Sequence, residues 1–350
     1  MRRGFTKARL AKELGLQVRS IQGYETGEYA PEPEKLSALS AVLRFPLEFF
    51  AGDDLPTIAP ETASFRSMSK MSATLRNSAL GAGVTAFLLN EWIEARFHLP
   101  EADLPDLNDL SPEEAAATLR RIWGLGEAPI GNLIHLLEAK GIRVYSLAIE
   151  AKEVDAFSVW HSGQPFVFLN TFKSAEHSRF DAAHELGHLV RDRHTMLHGA
   201  AHSPEMERDA NAFASAFLMP RANVLARGSG LITLDKLTQL KQNWGVSLAA
   251  LAYRMNHLGL FSEWTYRNLC IQIAKNGYRT SEPNPMRPEF SQVLRKVFEA
   301  LRSDGITRAN LAKELHVIQD DIDNLTFGLT LSSVSRASTG SIVKDTRRSL

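Results

Sequence analysis

The stretch AAHELGHLV, residues 182–190, carries two histidines four residues apart with a glutamate directly after the first. On an α-helix that spacing sets His184 and His188 about 40° apart around the axis and one turn apart along it, so both rings can reach one ion. Glu185, about 100° round from His184, stays on the same side. Asp181, His184, Glu185 and His188 share one face, while Ala183, Leu186, Gly187 and Val190 cluster on the opposite one. One face packs and the other presents ligands, which predicts a core helix that carries a metal site.

A third ligand is sought downstream, in SPEMERDANAFASAFLMP, residues 203–220. Pro204 and Pro220 bracket a helix whose Met206, Ala210, Phe213, Ala214 and Phe217 form one apolar stripe. Of its three acids, Glu205, Glu207 and Asp209, only Glu207 borders that stripe. Its separation from His188 leaves room for one helix to end and a second to return antiparallel, the layout of two-helix zinc sites with a His, His, Glu ligand set. His194, His198 and His202, in the intervening loop, compete with Glu207 for the third position. Asn211, one turn after Glu207, reads equally as a group that orients a ligand imidazole and as a buried amide satisfied by backbone. Asp181 is a second candidate for orienting a ligand.

Composition narrows the chemistry. The 350 residues suffice for two or three domains, each with its own core. Forty basic and forty acidic side chains cancel, so a nucleic-acid role must rest on a local patch. The single cysteine, Cys270, excludes a disulfide framework and a thiolate-rich zinc site, leaves His and carboxylate to hold any metal, and fits a reducing compartment. No apolar run approaches the roughly 18 residues of a membrane span, and the N-terminus lacks the apolar core of a signal peptide. A cytoplasmic protein with no membrane partner is expected.

The local patch is N-terminal. Residues 1–24 hold Arg2, Arg3, Lys7, Arg9, Lys12 and Arg19 against a single acid, Glu13. TKARLAKELGLQVRSIQGYETG, residues 6–27, has helix-turn-helix spacing, with Leu10, Ala11 and Leu14 on one helix, Gly15 at the turn, and Ile21 and Tyr24 on a second helix closed by Gly27. In such a unit the second helix offers its first side chains to the major groove. Gln17, Arg19 and Gln22 are the base-reading candidates, and Lys7, Arg9 and Lys12 the phosphate contacts.

Between these motifs the chain reads as mostly α with a small β-sheet. AGDDLPTIAP, residues 51–60, is a linker that ends the first domain near residue 55. A helical pattern covers residues 74–98, a solvated connector follows, and a further helix starts with Ser111 as N-cap, Pro112 and a capping-box Glu114. A helix from Pro129 to about Lys140 breaks at Gly141 into the strand IRVYSL, and AFSVWH and PFVFLN flank SGQ as a hairpin. FVFLN is expected at a sheet edge, open to an extended peptide. Helices dominate the remainder, with a helical extension over 266–330 and a disordered tail over 331–350. No internal repeat is evident, although GITRANLAKELHVIQDDIDNL, residues 305–325, revisits the short-helix texture of the N-terminus.

Taken with these residues, the chain resembles a member of the ImmA/IrrE metallopeptidase family fused behind an XRE-type helix-turn-helix. The peptidase resemblance spans about residues 60–265 and is carried by His184, Glu185, Leu186, Gly187 and His188, by ERDANAFASAFLMP, by the strands before them and by WGVSLAALAYRMNHLGL. It implies a Zn2+-dependent endopeptidase of gluzincin-like geometry, with His184, His188 and Glu207 as ligands and Glu185 as general base. It also implies a repressor or other regulatory protein as substrate, beside double-stranded DNA as the partner of the N-terminal domain, and leaves a homodimer open. XRE domains normally open with another helix before GFT, so the N-terminal domain, 1–55, is expected to be incomplete at its start. The rival expectation is a DNA-binding regulator whose zinc is structural or sensory.

Overall fold

A computed structural model describes residues 2–65, 71–147, 154–198, 203–228, 230, 232–327 and 348–349. Three helices open the chain, α1 (Lys7–Glu13), α2 (Val18–Glu25) and α3 (Pro33–Leu43). Thr6 caps α1 through the Arg9 amide, and Gly15, at φ +61°, makes the left-handed turn that a β-carbon would strain. Leu10, Ala11, Leu14, Ile21 and Leu39 close a small core of their own. After the linker come a short strand β1 (Ser64–Phe65), the long helix α4 (Ala73–Glu94) and strand β2 (Phe97–His98).

The sheet that organises the rest is built from β1, β3 (Arg143–Leu147), β4 (Ala156–His161) and β5 (Gln164–Asn170), in the order β1-β4-β5-β3. The hairpin expected around SGQ is present: β4 and β5 are antiparallel, with His161 opposite Gln164, and Ser162 and Gly163 at φ +49° and +78° supply the turn. The expectation that FVFLN lies at an edge is overturned. β5 pairs antiparallel with β4 on one side and parallel with β3 on the other, which satisfies its backbone and leaves nothing for a peptide to add to. At two positions the edge beyond β4 is taken by the chain itself, with Ser64 opposite Ser158 and Phe65 opposite Phe157.

Both sheet faces are covered, which explains why these strands read as apolar runs rather than alternating ones. On one face Tyr145, Phe157, Phe166 and Phe168 meet α4 and the C-terminal helices α14 (Gln292–Ser303), α15 (Arg308–Glu314) and α16 (Gln319–Leu325). On the other, Val144, Ala156, Val167 and Leu169 meet α5 (Pro112–Ile122), α6 (Leu133–Ala139), α7 (Ala175–Arg191) and α9 (Pro204–Leu218). The capping box at Ser111 and Glu114 starts α5, and α6 begins at an Asn132 cap, a few residues later than Pro129. α8 (Arg193–His198) links α7 to α9, and α10 (Arg221–Arg227), α11 (Leu234–Leu240), α12 (Leu248–His257) and α13 (Glu263–Lys275) complete that layer. The expected disordered tail lies outside the described residues except for Arg348 and Ser349, which form β6 and pair in parallel with β2.

Buried charges hold α7 and α9 in place. In the first turn of α7, fully buried Glu176 accepts from Lys241 Nζ at 2.8 Å, and one turn later Arg179 pairs with Glu289 and donates to the Trp244 carbonyl at 3.1 Å. The last carbonyls of α9 have no helical donors left, and two buried arginines supply them: Arg120 donates to Phe217 O at 2.6 Å and Arg254 to Met219 O at 3.0 Å. Removing one member of a buried pair strands the other in low dielectric. Lys241→Met is therefore expected to lower stability by about 3–5 kcal/mol in chemical denaturation at neutral pH, with Glu176→Gln added to the same chain recovering part of the loss.

Candidate metal centre

α7 is wedged between the sheet and α9, and the wedge decides where its polar face points. Ala182, Ala183, Leu186, Leu189 and Val190 fill the core shared with Phe213, Ala214 and Phe217 of α9. Gly187 sits at the crossing, where a β-carbon would lie 3.0 Å from Phe213 Cδ1 and 3.4 Å from the Ala210 backbone. The missing side chain lets the two helices approach closely enough for Glu207 to meet α7.

The three expected ligands converge. His184 Nε2 and His188 Nε2 lie 3.1 Å apart, Glu207 Oε2 is 3.4 Å from the first, and Glu207 Oε1 is 3.3 Å from the second. One donor atom from each of the three lies within 4.8 Å of the others, and both histidines are fully buried while Glu207 keeps 21% of its side chain exposed. Both Glu207 oxygens are buried, Oε2 facing the His184 ring and Oε1 the His188 ring. Two neutral nitrogens and a carboxylate oxygen so placed fit a tetrahedral dication with one position left over. Among the described residues no fourth His, Cys, Asp or Glu joins the group.

Electrostatics follow from burial and neighbours. Burial pushes the Glu185 carboxyl up to about 8, against the pull of His188 and of Ser158, whose hydroxyl donates to Glu185 Oε2 at 2.6 Å. Burial disfavours a charged His188, yet Asp192 and Glu207 outweigh it and raise the metal-free ring to about 10, a proton that a bound cation would displace. Glu207 is held well below the usual carboxylate range: burial opposes this, and hydrogen bonds from His184 and His188 prevail.

Asn211 sends its amide to the Glu207 carbonyl at 2.6 Å, which matches the backbone alternative and not a contact with an imidazole. Asp181 faces His177 Nε2 at 3.3 Å. The group that orients His188 is Asp192, whose Oδ2 lies 2.7 Å from Nδ1 and leaves Nε2 for the centre. Sequence reasoning missed it, although its signal was present: Asp192 stands four residues after His188, one turn on along the same face. Ser158 was missed too; strand alternation with Ala156 and Trp160 places it on the α7 side. His194 is exposed, and the side chain of His198 and all of His202 lie outside the described residues. The six candidate DNA contacts, Lys7, Arg9, Lys12, Gln17, Arg19 and Gln22, are all exposed on or just before α1 and α2.

Against this geometry, a peptidase family model described as IrrE N-terminal-like domain matches residues 137–256, from the end of α6 through both ligand helices into α12. Residues 137–256 are an IrrE-like domain. A second model, described as helix-turn-helix, matches residues 1–50. The chain thus fuses an N-terminal helix-turn-helix of XRE type to an IrrE-like, peptidase-type domain. No curated protein gives a significant match to it. Among the described residues of the fusion no helix is long and apolar enough to cross a membrane.

The Glu185 environment yields a titration prediction. In the metal-free protein a carboxyl raised to about 8 is protonated below that value, so it favours the fold at low pH and that contribution is lost as pH rises from the ordinary carboxylate range through about 8; a bound dication would favour the charged form. In metal-stripped protein the Glu185 carboxyl carbon is expected to titrate near 8 by NMR. Ser158→Ala, which removes a hydrogen bond to the charged form, is expected to move that midpoint upward.

Proposed function

We propose that the chain is a DNA-associated regulator whose IrrE-like domain is a zinc endopeptidase acting on a partner repressor or other regulatory protein, in the cytoplasm. The observation that carries this reading is the pairing of a three-donor cluster, His184, His188 and Glu207, with a carboxylate on the same helix that is not part of it. A structural zinc site is closed by four protein donors, whereas a catalytic one keeps a position for water or substrate.

Zinc bound there would bring its water's pKa towards neutrality and polarise the scissile carbonyl. The protein's own residues do the rest. Ser158 holds one oxygen of Glu185, and the other, Oε1, is buried without a hydrogen bond among the described residues, so it is the oxygen available to take a proton. Asp192 orients His188, and the core around Ala183 and Leu186 holds the opposite face of the helix in place. At the other end of the chain, α2 and its N-cap residue present Gln17, Arg19 and Gln22 for base edges while Lys7, Arg9 and Lys12 stand ready for phosphates.

Two glutamates separate turnover from a structural or sensory metal. Glu207→Ala is expected to release zinc, as His184→Ala and His188→Ala are, by elemental analysis of purified protein. Glu185→Gln is expected to keep zinc and melting temperature but to slow loss of a co-expressed partner protein by on the order of a hundredfold to ten-thousandfold. Zinc, fold and regulation all surviving Glu185→Gln would make the metal structural. For the DNA-binding domain, Arg19→Ala is expected to flatten sequence preference in gel shifts, with each lost base contact worth about 1–3 kcal/mol, whereas Lys7→Ala weakens all sequences alike and lowers the salt slope by about one.

A further inference from the structure

Residues 305–325 repeat residues 4–24 at a separation of 301. Gly, Thr, Ala, the run Leu-Ala-Lys-Glu-Leu and Ile recur at equivalent places in GFTKARLAKELGLQVRSIQGY and GITRANLAKELHVIQDDIDNL. The structure turns that texture into a repeat. α15 (Arg308–Glu314) matches α1 (Lys7–Glu13) end for end, and α16 starts where α2 starts. Thr307 caps α15 as Thr6 caps α1, and His316 takes the left-handed φ, +52°, that Gly15 takes at +61°. The turns close alike: the amides of Leu16 and Val317 reach the carbonyls of Ala11 and Ala312 at 2.8 and 3.0 Å. The core positions Leu10, Ala11 and Ile21 return as Leu311, Ala312 and Ile322, all buried.

The polar positions of the second helix do not return. Where the first unit has Arg19, Ser20 and Gln22, the second has Asp320, Asp321 and Asp323. Four acids stand against two cations in residues 305–325, Glu314, Asp320, Asp321 and Asp323 against Arg308 and Lys313, and such a face repels phosphate. These carboxylates meet arginines instead. Asp321, 1% exposed, accepts both terminal nitrogens of Arg3 at 2.6 Å each, with Arg2 at 3.4 Å, and Asp320 pairs with Arg44 at 2.8 Å. Arg3 also donates to the carbonyls of Leu43 and Arg44, at the end of α3, so a single side chain ties the end of that helix to α16. Arg2 and Arg3 therefore leave the basic patch that the sequence suggested, while Lys7, Arg9, Lys12 and Arg19 stay exposed. The opposite side of the second unit is joined to the IrrE-like domain: Glu314 accepts from Trp92 at 2.7 Å and from Arg96 at 2.9 Å, and Leu311, Ile322 and Leu325 share the core of α4 and the sheet.

We propose that residues 291–327 are a second helix-turn-helix unit converted from reading DNA to docking protein, and that its acidic third helix holds the N-terminal unit through Arg3 and Arg44 with the DNA-reading face outward. Bidentate arginine–carboxylate geometry gives such a dock orientation as well as strength. The assignment is independent of whether the metal centre turns over.

Hydrogen exchange by mass spectrometry on the full chain tests it, with Arg3→Gln, Asp321→Asn and the double variant compared with the parent. Arg3→Gln leaves every residue of 291–327 in place, so the result does not depend on how well Asp321→Asn folds. Release of the dock is expected to speed exchange of residues 5–25 by about tenfold or more in each single variant, with no comparable further gain in the double, while residues 175–191 of α7 exchange as before. A random-sequence DNA duplex added to the parent is expected to protect residues 5–25 and not 305–325. Unchanged exchange at 5–25 in Arg3→Gln overturns the dock, and equal acceleration of α7 assigns the pair to the common core instead. Protection of 305–325 by the duplex makes the second unit a DNA reader and overturns the conversion.

Discussion

The close crossing of α7 and α9 at Gly187 is the constraint on which the centre depends. With no side chain there, Phe213 and Ala210 pack against the backbone of α7, and Glu207 comes within 3.3–3.4 Å of both imidazoles. Everything that anchors the two helices serves that approach. Glu176 and Arg179 tie the start of α7 to the layer around Lys241 and Trp244, and Arg120 and Arg254 occupy the last carbonyls of α9. A polar cluster that is buried and only partly hydrogen-bonded is unfavourable unless the surrounding fold imposes it. Here the fold does so with four buried charges, each paired with a group from another element.

Much of this was legible in the chain because it is local. The four-residue spacing of His184 and His188, the two prolines that bound α9, the apolar stripe that picks out Glu207, and the capping box at Ser111 all act within a few turns of one helix. What was not legible depends on contacts between elements distant in sequence. Ser158 acquires its role only because β4 crosses α7, and the position of β5 is set by β3 pairing parallel to it, a contact no hairpin pattern announces. Asn211 shows the limit of face arguments: it lies on the expected border, but the nearest acceptor is the carbonyl of its own helix.

The repeat escaped the sequence reading for a related reason. Periodicity of apolar residues is shared by all short amphipathic helices, so texture alone does not distinguish a copy from a coincidence. The identical residues at a constant offset point to a copy, and the caps, the left-handed turn position and the helix starts in register establish it. The two copies also differ physically in a way that composition conceals: the whole chain balances forty charges of each sign, while residues 4–24 carry four cations against one acid and residues 305–325 four acids against two cations.

The pairing of Ser64 and Phe65 with β4 has a kinetic meaning as well as an architectural one. These residues lie opposite Ser158 and Phe157, on the sheet edge nearest Glu185, so a peptide entering there by strand addition would meet an edge already occupied at those two positions. Its competitor is tethered to the same molecule and so acts at an effective concentration on the order of millimolar, however dilute the protein. Entry then becomes an exchange reaction whose balance is independent of protein concentration. That strand also lies in the segment between the helix-turn-helix and the domain that carries His184, His188 and Glu207, so the edge is joined along the chain to the N-terminal unit.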